Sequence, residues 1–167
     1  MKLNIKKITL LGVFTATALI LSYIEALIPP IFAALPMVKI GLPNIVIIFV
    51  LYKLGFKSAL SVSVTRVLMN GLLFGNAVAV IYSLAGALLS LVLMALIKKI
   101  NAFSVVAVSV LGAVAHNLGQ VAAAVIIMQT AAIFGLVPAL SIAATLSGII
   151  IGLVSATTIK LLKNIKI

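Results

Sequence analysis

The chain has 167 residues, of which 65% are hydrophobic and 8% charged, with a mean hydropathy of +1.47. Soluble globular domains are nearer ~45–50% apolar, so this composition excludes one and defines an integral membrane protein. The net charge of +11 would point to nucleic acid in a soluble protein. Here nearly all the lysines stand at the ends of apolar runs, so topology accounts for the charge and no nucleic-acid partner is implied.

The apolar runs are continuous and do not alternate with period two, which argues against a β-barrel. At ~20 residues per span the length supplies about six helices with short loops, one compact bundle over residues 1–167 and no separate soluble domain. Cysteine and aspartate are absent, and Glu25 is the sole acid, so disulfides and thiolate-held metals are excluded.

Lys2, Lys6 and Lys7 precede an apolar run over 8–28, which is too long for the core of a signal peptide and reads as a retained first span. Gly12 and Ala16 have the small-xxx-small spacing that admits a neighbouring helix, either inside the bundle or from a partner. Pro29 and Pro30 end this span, and an irregular stretch reaches Pro36 and Lys39.

A second helix is expected over 41–54, with Pro43 in its first turn, where a missing N–H costs nothing. Lys53 to Lys57 make a turn, and a third helix over 58–74 carries Arg66 and Asn70 on one face. After Gly75 and Asn76 comes a fourth, 77–97, with Ser83, Gly86 and Ser90 along one stripe, ending at Lys98 and Lys99.

The fifth helix, 102–128, contains Gly112-Ala-Val-Ala-His116-Asn117-Leu-Gly119-Gln120, three strongly polar side chains inside an apolar run. Such groups cost several kcal/mol in hydrocarbon without partners, so they read as functional. Ser109, Gly112, His116, Gln120 and Ala123 share one face, with Gly119 beside it, and that face suits a cavity wall. A turn over 129–138 leads to the sixth helix, 137–160, where Gly148, Gly152 and Ala156 form a close-packing stripe.

Six spans across the cell membrane, starting inside, place every lysine except Lys39 at the cytoplasmic face and leave both termini cytoplasmic. Counting ~1.5 Å per residue from the inner ends puts Arg66 at ~12 Å, Asn70 at ~18 Å, His116 at ~20 Å, and Gln120 and Glu25 near ~25 Å. Asn44 and Ser83 also fall in the outer half. The polar groups thus converge on a pocket open to the outside, with Lys39 and Arg66 as anion anchors and Glu25 as a counter-charge. An anionic or zwitterionic small molecule fits that set. The competing reading has Arg66, Asn70 and His116 satisfying one another as interhelical glue.

Other chemistry is excluded. A lone His without Cys or Asp gives no metal site, and nucleophile, base and orienting acid cannot be assembled, so no catalytic residue is expected. No Gly-xxxx-Gly-Lys-Ser/Thr pattern occurs, so ATP-driven work needs a partner.

Lys39-Ile-Gly41-Leu42-Pro43-Asn44, Arg66-Val-Leu68, Leu73-Phe-Gly75, Ser83-Leu-Ala-Gly86-Ala-Leu-Leu-Ser90 and the His116-Asn117-Leu-Gly119-Gln120 segment together resemble the heptaprenyl diphosphate synthase component I family, also called the Gx transporter family. The resemblance covers nearly the whole chain. Pro43 stands where a small residue such as Ala is expected.

The enzyme in the family name implies aspartate-held Mg²⁺ on a diphosphate, which a chain without Asp cannot provide. In size and helix plan the family is similar to the substrate-binding S components of energy-coupling-factor transporters. That likeness implies uptake of a micronutrient or metabolite with a membrane coupling subunit and ATPases, docked at Gly12 and Ala16. The expected ligand residues are Glu25, Lys39, Asn44, Arg66, Asn70, Ser83, His116, Asn117 and Gln120, with no cofactor. The alternatives are an accessory membrane subunit for a polyprenyl synthase catalytic chain, with anionic lipid at the basic face, and a membrane component of flavin- or quinone-linked electron transfer.

Overall fold

The computed structural model describes residues 5–28, 41–74 and 77–164. Its elements are α1 (Ile5–Leu27), α2 (Asn44–Leu54), α3 (Phe56–Phe74), α4 (Ala77–Ile100), α5 (Val105–Met128), a short 3-10 helix (Ala131–Leu136) and α6 (Val137–Leu161), with no strand among the described residues. The expected helices are all present, with ends that differ by a few residues for local reasons.

Gly41 turns the chain at φ +86°, and Pro43, at φ −60°, already has helical backbone angles as α2 begins. Proline therefore fits where a smaller residue was expected. Gly55 takes φ +84° and returns its N–H to the Val50 carbonyl, so α3 starts at Phe56 instead of Ser58. Ser104 caps α5 by accepting the Ala107 N–H at 3.2 Å, which moves the start of that helix from 102 to Val105. Gln129, left-handed at φ 49°, ends α5.

The most extensive packing is α4 on α5 and α5 on α6. Glycine makes it possible. A Cβ on Gly119 would lie 2.7 Å from the Ala85 carbonyl oxygen, and Cβ atoms on Gly148 and Gly152 would lie 2.7 Å from the Val110 and Val106 Cα atoms. The Gly148/Gly152 stripe is thus used inside the bundle. Gly12 and Ala16 are not: both are exposed, and a Cβ on Gly12 would meet nothing within 4 Å. Of the two uses open to that pair, packing within its own bundle does not hold.

The centre is α2. All of Val46 to Leu51 are buried, and they pack in one core with Ala18, Leu91, Met94, Ile97, Val108 and Ile151. A helix that is apolar all round belongs in the interior. At 11 residues α2 is about 16 Å long, roughly half the ~30 Å hydrocarbon thickness. It fills one half of the bundle axis, and among the described residues a cavity lies beyond its N-terminus.

Among the described residues, four stretches are long and apolar enough to cross a membrane: Ile5–Leu27, Ala77–Ile100, Val105–Met128 and Ala131–Leu161. That makes a multi-pass membrane protein, but four such stretches fall short of the six spans expected. α2 is too short, and α3 is diluted by Ser58, Ser61, Ser63, Thr65, Arg66 and Asn70. Lysines close the end of the bundle where α2 stops. Lys98 Nζ donates to the Leu51 carbonyl at 2.8 Å and sits 4.8 Å from the Tyr52 ring centre, while Lys53 Nζ donates to the Leu162 carbonyl at 2.8 Å. Both satisfy carbonyls that a helix C-terminus leaves unpaired.

Candidate functional site

Beyond the N-terminus of α2 the bundle encloses a partly open cavity of about 410 Å³. Its size falls in the range of small-molecule sites, ~300–1,000 Å³. Its lining is unusually polar for a membrane interior. Glu25 of α1, Asn44 of α2, Arg66 and Asn70 of α3, Ser83 of α4, and His116, Asn117 and Gln120 of α5 all face it. These are the expected ligand residues with one exception, Lys39, which lies outside the described residues. The helical periodicities explain the convergence: Ala113, His116, Asn117 and Gln120 follow i, i+3, i+4, i+7 on one face of α5, and Arg66 and Asn70 are one turn apart on α3.

The rest of the α5 polar face divides by depth. Ser109 and Gly112 line a smaller void, and Gly119 packs against α4. Gly86 brings α4 so close to α5 that a Cβ there would lie 2.7 Å from the His116 carbonyl oxygen and 2.8 Å from Gln120 Cγ. The Gly86–Gly119 contact therefore sets where the His116 and Gln120 side chains stand.

Arg66 is incompletely satisfied by the protein. Its Nη1 donates to Ser22 Oγ at 3.4 Å, a long bond, and its Nε is buried with no hydrogen-bond partner. The Glu25 carboxylate lies within electrostatic reach of the guanidinium. Glu25 also accepts a hydrogen bond from the Gly41 backbone N–H, tying the end of α1 to the turn before α2. Asn117 Nδ2 donates to the Leu140 carbonyl at 3.0 Å, so it braces α6 and presents its remaining amide capacity elsewhere.

The cavity also contains polar groups that were not anticipated, namely Ser22, Tyr82 and Ser147. Ser22 stands one turn before Glu25, and Tyr82 and Ser147 adjoin Ser83 and Gly148, but serine and tyrosine are common enough in membrane helices that nothing marked them. Glu25 and His116 are the only carboxylate and imidazole of the entire chain. Among the described residues no three His, Cys, Asp or Glu side chains group together.

Membrane-length apolar helices enclosing a polar cavity define a multi-pass membrane protein with room inside for a small polar molecule. The family model of heptaprenyl diphosphate synthase component I matches residues 14–158, and the chain belongs to that family. No curated protein and no solved structure matches it.

Proposed function

We propose that this chain is a substrate-capturing membrane subunit, similar to the S components of energy-coupling-factor transporters. It binds a small anionic or zwitterionic metabolite for uptake driven by a separate coupling subunit and ATPases. The observation that carries the reading is Arg66: a guanidinium in the wall of a 410 Å³ polar cavity, with Nε unpartnered. Retaining such a group in a membrane interior is costly unless a ligand completes its bonding. Glu25, Asn44, Asn70, Ser83, His116, Asn117 and Gln120 surround the ligand, and Lys39, outside the described residues, is a second candidate anion anchor.

In this reading all six helices form a single domain in the cell membrane. The short α2 is shielded by its neighbours, α3 buries Ser58 and Ser63 while Leu68, Leu72 and Leu73 stay exposed to lipid, the lysine-capped end and both termini are cytoplasmic, and the cavity faces outward. Gly12 and Ala16, exposed on α1, receive the coupling subunit. The chain itself performs no chemistry.

The family name favours a second reading, in which this chain is the non-catalytic membrane partner of a polyprenyl synthase. It would then contribute anchoring and a basic surface for anionic lipid, since its single carboxylate does not fit a Mg²⁺–diphosphate site. A flavin- or quinone-linked role would require the cavity to hold the carrier itself, as nothing else here ligates a redox centre.

Mass spectrometry of the tagged protein gently purified from its native membrane separates these readings. Coupling subunits and ATPases with a retained polar metabolite support uptake, and Arg66→Ala is expected to abolish that retention. A polyprenyl synthase chain without the ATPases would overturn uptake in favour of the accessory role.

A further inference from the structure

A second void, of about 10 Å³, lies beneath the main cavity and shares Asn44, Ala113 and Ser147 with it. That is room for about one water molecule. Four helices meet there, each with a polar side chain: Asn44 from α2, Ser90 from α4, Ser109 from α5 and Ser147 from α6. Ser90 and Ser109 are 5% and 3% exposed. Among the described residues neither hydroxyl bonds back to its own helix as those of Ser22, Ser61 and Thr145 do. The Ser147 hydroxyl donates to the Ala144 carbonyl at 3.1 Å, which leaves its lone pairs as acceptors. Gly112 keeps the wall thin, since a Cβ there would lie 2.6 Å from Met94 Sδ and 3.3 Å from Ser90 Oγ.

We infer that this void holds one ordered water molecule, bridging Ser90 and Ser109 on α4 and α5 to Asn44 and Ser147 on α2 and α6. Two hydroxyl donors, an acceptor oxygen and an amide that both donates and accepts complement the bonding capacity of a single water. Ile48, Met94 and Ile151 also line the void, but four polar groups around one small space favour a water, because hydroxyls in hydrocarbon lose more than the water loses on being fixed. A cation is the weaker occupant. The lining contains no carboxylate, and Asn44 begins α2, so the void adjoins the positive end of a helix dipole. The water forms part of the cavity floor and holds the Asn44 amide from below. This inference is independent of what the larger cavity binds.

The test is a structure of the unmodified, full-length protein at a resolution that shows ordered solvent. One density peak ~2.7–3.2 Å from both Ser90 Oγ and Ser109 Oγ is expected, and an empty void with the same side-chain rotamers overturns the inference. The Ser90→Ala/Ser109→Ala double variant is expected to lose the peak and to melt about 2–4 °C lower. A peak that survives, or an unchanged Tm, overturns it. Finally, Tm should be equal in sodium chloride and choline chloride, and a rise specific to sodium would assign the void to an ion instead.

Discussion

Glu25 on α1 accepts a hydrogen bond from the backbone N–H of Gly41, so the only acidic side chain of the protein fastens the turn that starts its central helix. The same carboxylate lies in the cavity wall and within electrostatic reach of Arg66. One group therefore links the placement of α2, whose short length creates the cavity, to the charge balance inside it. Glu25→Gln keeps an acceptor oxygen for Gly41 and removes the charge, whereas Glu25→Ala removes both. We expect Glu25→Ala to cost about 2 kcal/mol, the value of a hydrogen bond to a charged group, and Glu25→Gln less than half of that. Thermal unfolding of both variants in the same detergent checks this, and equal losses would mean that the charge, and not the tether, is what matters.

Arg66 separates stability from function. Replacing both members of a buried charge pair with neutral groups of similar size is often neutral or stabilising, whereas removing one alone leaves the other uncompensated. The Arg66→Met/Glu25→Gln double variant is therefore expected to leave Tm unchanged or to raise it, while ligand retention falls at least tenfold. A variant that unfolds at markedly lower temperature would show the guanidinium to be structural glue.

The wall behind His116 depends on two glycines. A Cβ on Gly119 would lie 2.7 Å from the Ala85 carbonyl oxygen and 2.9 Å from Gly86 Cα, contacts with backbone that no rotamer change relieves. Gly119→Ala should force α4 and α5 apart at a cost of about 1–3 kcal/mol. Gly12→Ala, with open space at the same atom, should show only the helix preference for alanine, a gain of up to about 1 kcal/mol. Comparing the two melting temperatures isolates the packing effect from the general helix preference for alanine.

Two lysines at one end of the bundle cap helices, a use distinct from setting topology. Lys98 reaches the Leu51 carbonyl and the Tyr52 ring, while the adjacent Lys99 is exposed. Lys98→Met should destabilise by about 1 kcal/mol, and Lys99→Met by less than about 0.5 kcal/mol. Paired unfolding curves test the contrast, since a purely topological role predicts the same small effect for both.

Much of this arrangement is legible in the sequence. Polar side chains in apolar runs are few, so Arg66, Asn70, His116, Asn117 and Gln120 could be counted to a common depth, and the structure brings them into one wall. Prolines and glycines marked the helix ends to within a few residues. What the sequence hid was relational. Whether Gly12 packs inside or outside depends on how α1 is rotated, which small-residue spacing does not determine. The burial of α2 on every side depends on its neighbours, and its short apolar run reads equally as a weak span. The Glu25–Gly41 and Lys98–Leu51 bonds end on backbone groups, which carry no sequence signal. Ser22, Tyr82 and Ser147 line the cavity without being rare enough to stand out.

Gly12 and Ala16 carry the final prediction, which concerns association. Both are exposed on α1, and among the described residues no neighbour fills the groove they form, while Ala18, Ser22 and Glu25 on the opposite side of that helix are buried. Small residues let helix backbones approach closely, and in a membrane that approach is the main source of helix–helix affinity. Gly12→Leu and Ala16→Leu fill the groove without touching the core, so Tm and ligand retention should be unchanged. Under the uptake reading, co-purification of the coupling subunit and its ATPases should be lost. If those partners stay bound to the doubly substituted protein, they dock elsewhere, and the exposed stripe of α1 simply faces lipid.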